Sequence, residues 1–140
     1  MRSTSEDVVR QVLDTGPVWA VVGLSSDPAR AAWGVARWLQ EHGKTIVPVH
    51  PRAETVHGQQ GYATLAEVPV PVDVVDVFVR SELAGAVVGD AVAVGARAVW
   101  LQLGVLDDDA MARAEEAGLL AVQDDCPRMA APRLGWQPRR

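Results

Sequence analysis

The stretch Gly23-Leu24-Ser25-Ser26-Asp27-Pro28, with Arg30 just beyond, joins a glycine that can turn tightly, two hydroxyls and a cation. It follows an apolar run and precedes a helix-like stretch, and free N–H groups at a helix start favour an anion. The loop therefore reads as a candidate phosphate cradle. It is not G-x-G-x-x-G, because Ser25 and Asp27-Pro28 stand where the later glycines would be. It reads equally as an ordinary strand–helix turn, with Asp27 as N-cap and Pro28 at N1. A second loop, His50-Pro51-Arg52, lies where a site for the ribose hydroxyls of NAD would carry an acid. Two cation-capable side chains there suit a phosphate on the ribose, as in NADP or coenzyme A; the plain alternative is a solvated loop.

Three further loops complete the set. Phe78-Val79-Arg80 puts the chain's single phenylalanine where an adenine could lie against apolar side chains, or where it simply closes the core. Gln102-Leu103-Gly104-Val105 offers a glycine that permits close backbone approach. Gln123-Asp124-Asp125-Cys126 brings the lone cysteine to the same edge. Cys126 is the one candidate nucleophile, near Arg128, but Asp124 and Asp125 oppose thiolate formation and the residue reads as a partly buried, inert thiol. Of the three histidines, His50 has a binding position, while His42 at a helix end reads as structural or exposed and His57 beside Gly58 as exposed. Asp107-Asp108-Asp109 reads as a solvated helix start, since successive helix positions point in different directions. No metal site is expected.

Five short segments rich in β-branched residues must hold these loops: Val18–Val22, Thr45–Val49, Val72–Phe78, Ala98–Leu101 and Leu119–Val122. Four lack polar alternation, as strands buried on both faces of a parallel sheet do. The third carries Asp73 at its entry and Asp76 in its middle. Helix-like stretches Ala29–His42, Ser81–Val94 and Asp107–Ala117 each end on a glycine, at 43, 95 and 118, suited to positive φ. Ser81 and Asp107 are N-cap candidates, and Ser3-x-x-Glu6 is a capping-box candidate for a preceding helix. Residues 52–71 form an irregular crossover with Gly58, Gly61, Pro69 and Pro71. Alternating β and α predicts an α/β, Rossmann-like, three-layer doubly wound parallel sheet of order 3-2-1-4-5, with ligands at the switch point between strands 1 and 4.

At 140 residues the chain is expected to be one domain. Thirteen basic against 18 acidic residues, a net charge of −5, argue against broad electrostatic binding of nucleic acid. The charge is uneven: residues 1–126 carry −9 and 127–140 carry four arginines and no acid. The domain is expected to span 1–126, with its N-terminal helix, and 127–140, with Pro127, Pro132, Pro138 and Trp136, to be a Pro/Arg-rich tail that wraps the domain, meets a partner or is disordered. Trp33 and Trp38 lie on different faces of one helix, so one is a candidate homo-oligomer contact. Apolar runs such as Pro17 to Leu24 are too short to cross a bilayer, and MRSTSEDVV lacks a secretory h-region. A cytoplasmic protein without membrane contact is expected.

With the loops in place, the chain resembles the small stand-alone CoA-binding proteins related to the CoA-binding, Rossmann-like domain of the succinyl-CoA synthetase α subunit. The resemblance rests on VVGLSSDPAR (21–30), IVPVHP (46–51), VDVVDVFVR (72–80), AVWLQLGV (98–105) and the Asp125–Cys126 close. It implies coenzyme A or an acyl-CoA as ligand, with Gly23, Ser25, Asp27 and Pro28 in the phosphate loop. By similarity His50 and Pro51 fall in the ribose-phosphate region, Phe78, Val79 and Arg80 near the adenine, and Gln102 and Gly104 at the switch point. Where many relatives carry serine and then tyrosine or histidine, this chain has Ala32 and Trp33, which removes a hydroxyl and enlarges the pocket wall. The phosphorylated histidine that the synthetase uses comes from a later domain, so the expected role is a carrier, sensor or regulatory module without its own chemistry. The alternatives are an NADP-binding reductase-like protein, or a thiol switch in which Cys126 forms a mixed disulfide with CoA.

Overall fold

In the computed structural model, which describes residues 5–138, every segment expected to be a strand is one. The elements are α1 (Glu6–Asp14), β1 (Val18–Val22), α2 (Ala31–Glu41), β2 (Thr45–Val49), a 3-10 turn (Leu65–Glu67), β3 (Val74–Val77) and α3 (Ser81–Ala93). They continue as β4 (Ala98–Leu101), α4 (Asp108–Glu116), β5 (Leu120–Val122) and α5 (Pro127–Leu134). Gly43, Gly95 and Gly118 take positive φ just past α2, α3 and α4, as their positions require. Asp107 caps α4 by accepting from the Ala110 N–H at 2.9 Å. Ser5 caps α1, and the expected Ser3 box lies outside the described residues. The N-cap of α3 is Arg80; Ser81 instead accepts from Leu106 N–H and donates to the Gly104 carbonyl, tying two loops together.

The five strands are parallel and doubly wound, as expected, but their order is 2-1-3-4-5 and not 3-2-1-4-5. β3 pairs with β1, aligning Trp19 with Val74, so the switch point lies between β1 and β3. The outer edge of β2 is taken by the irregular crossover: Tyr62 N–H donates to the Pro48 carbonyl, and His50 N–H donates to the Tyr62 carbonyl. A third strand has no room there.

One face of the sheet, with Trp19, Val21, Val74, Trp100 and Val122, packs under α1, α2 and α5; the other, with Ala20, Val47, Val75, Val77, Val99 and Leu101, packs under α3 and α4. Such two-sided burial explains the unbroken apolar strands. Asp73 closes the lower edge by accepting from the Val18 N–H at 2.9 Å. Asp76 is fully buried in the middle of β3.

Residues 127–136 are not a loose tail. Pro127 opens α5, Pro132 is tolerated inside this short helix, and Gly135 ends it in the left-handed region. Trp136 is buried, donating to Asp14 at 2.9 Å, with the Lys44 ammonium 5.6 Å from its ring centroid. Trp33 and Trp38, the candidate oligomer contacts, are half-buried in the same chain, against His57 and against His42 with Trp136. His57 is likewise anchored, its Nε2 2.8 Å from the Trp33 carbonyl, rather than exposed as its loop suggested. Arg133 pairs with Asp125 at 2.8 Å and Glu6 at 3.4 Å, but is 43% exposed. Arg133→Met should therefore cost under about 1 kcal/mol, at most about 3 °C in a thermal melt. A larger loss would mean that α5 is held by charge rather than by Trp136.

Candidate functional site

A cavity of about 590 Å3 opens at the carboxyl ends of β1, β2 and β3. Val22, Gly23, Val49 and Phe78 end the strands that floor it, and Arg30, His50, Pro51, Val79 and Arg80 stand on the adjoining loops. These loops meet because β3 lies beside β1: Phe78 N–H donates to the Val22 carbonyl at 2.9 Å. Gly23, at φ 98°, turns away with its α-carbon against the Phe78 carbonyl, where a side chain would not fit. The far wall comes from Leu83, Ala86, Val87 and Asp90 of α3, and from Ala63, Thr64 and Leu65. No reading of the sequence singled these out. Residues 83, 86, 87 and 90 form one helical stripe, but α3 is apolar nearly all round and nothing in its pattern sets that stripe apart.

The electrostatics of the rim favour an anion. α2 and α3 both start here, and neither N-cap side chain, Arg30 or Arg80, accepts a hydrogen bond from its helix. Arg30 and Arg80 line the opening, so the positive end of each helix dipole lies beside it. His50 Nδ1 accepts from the Arg52 N–H at 3.2 Å, leaving Nε2 to carry the imidazole proton. Arg80 also pairs with Glu82 at 3.7 Å, an exposed contact that a ligand can displace.

The remaining residues of the first loop do not line the cavity. Leu24 is buried in the core under α2. Ser25 is buried and accepts from the Asp27 N–H at 3.3 Å; Asp27 accepts from Ala29 N–H at 2.9 Å, so it closes a turn rather than capping α2. Pro28 is exposed in that turn, before a helix that begins only at Ala31. Ser26 and Arg52 sit together on the outer rim, both bonded to Glu54.

Gln102 and Gly104, expected at a switch point beside β4, lie away from the cavity now that the switch is at β1 and β3. Gly104 N–H donates to Asp124 at 2.8 Å, and Gln102 is buried with its carbonyl oxygen unpaired among the described residues. The fourth and fifth loops are thus tied to each other, with Leu103 and Gly104 exposed. Cys126 is buried in the core as the N-cap residue of α5. Among the described residues no group of three or more His, Cys, Asp or Glu could hold a metal, and no helix is long and apolar enough to cross a membrane.

This geometry has relatives. A protein of Bacillus subtilis named YneT and described as uncharacterized is 31% identical over 130 residues, which span 93% of this chain and 96% of that one. A hypothetical protein from Pyrococcus horikoshii, of known structure, superposes with a TM-score of 0.87 at 34% identity, covering 96% of each chain. The ADP-forming acetate–CoA ligase II subunit alpha of Pyrococcus furiosus is 36% identical over 61 residues, 43% of this chain but 13% of that subunit. A family model described as a CoA binding domain matches residues 17–132, from just before β1 to within α5. The matched span holds the whole sheet, the cavity and both helix starts, and the chain accordingly belongs to the CoA-binding domain family.

Proposed function

We propose that this chain binds coenzyme A or an acyl-CoA, with part of the nucleotide end in the cavity, and serves as a carrier, sensor or regulatory module. The observation that carries the reading is the cavity between two helix starts that lack side-chain caps, rimmed by Arg30, His50 and Arg80. A nucleotide joins a flat apolar base to several anionic groups, and this site joins an apolar wall on α3 to converging N–H groups and cations. Phe78 and Val87 supply surface for the base; Arg30 supplies charge and His50 an N–H donor for the phosphates. The body of the chain, at −9 over residues 1–126, attracts no polyanion by itself. Binding must come from these local donors.

Thermal melts with CoA test this. A ligand at 100 times its dissociation constant adds about 2.7 kcal/mol, which is roughly 8 °C for a domain of this size. Arg30→Glu or His50→Asp should remove most of that shift while leaving the unliganded melt within about 2 °C. No shift with CoA or acyl-CoA at near-millimolar ligand would overturn the reading, and a shift with NADP alone would replace it. Native mass spectrometry of the purified chain gives a second check, a retained CoA-sized mass.

A further inference from the structure

Ser26 and Arg52 stand on the two loops that carry the cavity residues Gly23, Arg30, His50 and Pro51, and a carboxylate of the chain itself already holds them. Glu54 accepts from the Ser26 N–H at 3.3 Å and from the Ser26 hydroxyl at 2.9 Å, and the Arg52 Nε lies 3.4 Å away. A backbone N–H, a hydroxyl and a guanidinium on one anion are the contacts a phosphate oxygen would make. The hydrogen bonds from Ser26, with a smaller contribution from Arg52, hold the Glu54 carboxyl below its ordinary value. The contact is built rather than incidental. Ala53 adopts a left-handed φ of 49°, and Gly61 packs so closely on the Glu54 carbonyl that any side chain at 61 would overlap it. Two uncommon backbone features thus aim Glu54 across 28 residues of sequence at the first loop.

We propose that Glu54 is an internal anion that competes with a phosphate group of the ligand for Ser26 and Arg52, so that binding requires its displacement. The proposal rests on the CoA reading for the identity of the ligand, and on the Glu54 geometry alone for the competition. Glu54 clamps the first loop to the second while the site is empty. An incoming phosphate takes over the Ser26 donors, frees the carboxylate to solvent and leaves Arg52 to pair with the ligand. The competitor sets a floor on the anionic charge that a ligand must carry, which discriminates against uncharged molecules that fit the apolar wall.

The test is calorimetry of CoA and of inorganic pyrophosphate with the full chain and with Glu54→Gln, which keeps shape and removes charge. Both ligands should bind roughly tenfold more tightly to Glu54→Gln, and adding Ser26→Ala should erase the gain. Equal or weaker CoA binding by Glu54→Gln, with CoA bound by the parent chain, overturns the competition and leaves the CoA reading intact. Tighter pyrophosphate binding by Glu54→Gln with no CoA binding by either chain upholds the competition and overturns the CoA reading. Failure of both ligands with both chains overturns both. The thermal melt of Glu54→Gln shows that it is folded before it is titrated.

Discussion

Gly23→Ala is expected to lower the melting temperature by roughly 10 °C and to take CoA stabilisation with it. Gly23 has φ 98°, and a β-carbon there would overlap the Phe78 carbonyl oxygen while lying 3.1 Å from its carbon. Left-handed backbone at a non-glycine residue costs about 1–2 kcal/mol. Forcing extra volume into packed structure adds about 1–3 kcal/mol, and the nearest atoms are backbone that cannot rotate aside. At about 3 °C per kcal/mol the two together reach the stated shift. The same clash pushes β1 from β3 at the mouth of the cavity, so binding falls along with stability. Gly43→Ala is the internal control: its φ is 85°, but nothing lies within 4 Å of the added carbon, so only the backbone cost applies. If the two variants melt together, the close approach of Gly23 to Phe78 has no energetic weight.

That close approach exists only because β3 sits beside β1, a neighbourhood the sequence signals at one residue. Pro48 lies inside β2 and has no N–H to donate to a neighbouring strand, which marks β2 as an edge. In the expected order 3-2-1-4-5 that strand is internal; in 2-1-3-4-5 it is the edge, and Tyr62 covers it. The strands were legible because Val, Ile and Ala crowd them without alternation, and the helix ends because glycine follows each. Strand order is a matter of non-local pairing, and only a missing N–H recorded it. The far wall of the cavity was illegible for a related reason. α3, Ser-Glu-Leu-Ala-Gly-Ala-Val-Val-Gly-Asp-Ala-Val-Ala, is apolar nearly all round, so no polar contrast separates its core face from its cavity face. In residues 127–140 three prolines and four arginines suggested irregular chain, yet Pro127 at the first position and Gly135 past the last are the punctuation of a helix over 127–134. Glu54 was invisible because its partner Ser26 is brought to it only by the fold.

Asp76→Asn should flatten the pH dependence of stability and leave the protein more stable at neutral pH. Asp76 is fully buried on β3, aligned with Val21 of β1 and Trp100 of β4, and neither carboxyl oxygen has a hydrogen-bond partner among the described residues. Burial without a partner raises its pKa well above the ordinary carboxylate range. The unfolded chain releases this proton near pH 3.9, whereas the folded chain keeps it. Above that pH the native state binds more protons than the unfolded state, so unfolding becomes easier as pH rises. One proton is worth about 1.4 kcal/mol per pH unit, and the loss continues until the buried carboxyl itself ionises. Other groups are displaced as well. Glu54, shifted down, loses its contribution only as pH falls through the acid range, and Lys44 is shifted down from 10.5 chiefly by burial. Above about pH 5 the Glu54 contribution is complete, and the Asp76 slope runs on until its own carboxyl ionises. Denaturant unfolding at several pH values in that window should give a falling line for the parent chain and a flatter one for Asp76→Asn, converging toward pH 4. Asp76→Val, which also removes the unpaired polar atoms, should lie above both at every pH. Parallel lines for the parent chain and Asp76→Asn would show that Asp76 is ionised in the fold, held by a counter-charge or water that restores the hydration burial removes. A carboxyl kept at such cost in the centre of the sheet, two residues before Phe78 at the cavity, breaks the rule every other β3 position obeys. The binding melt of Asp76→Asn with CoA then decides whether that cost serves the site: an unchanged ligand shift assigns Asp76 to the fold alone.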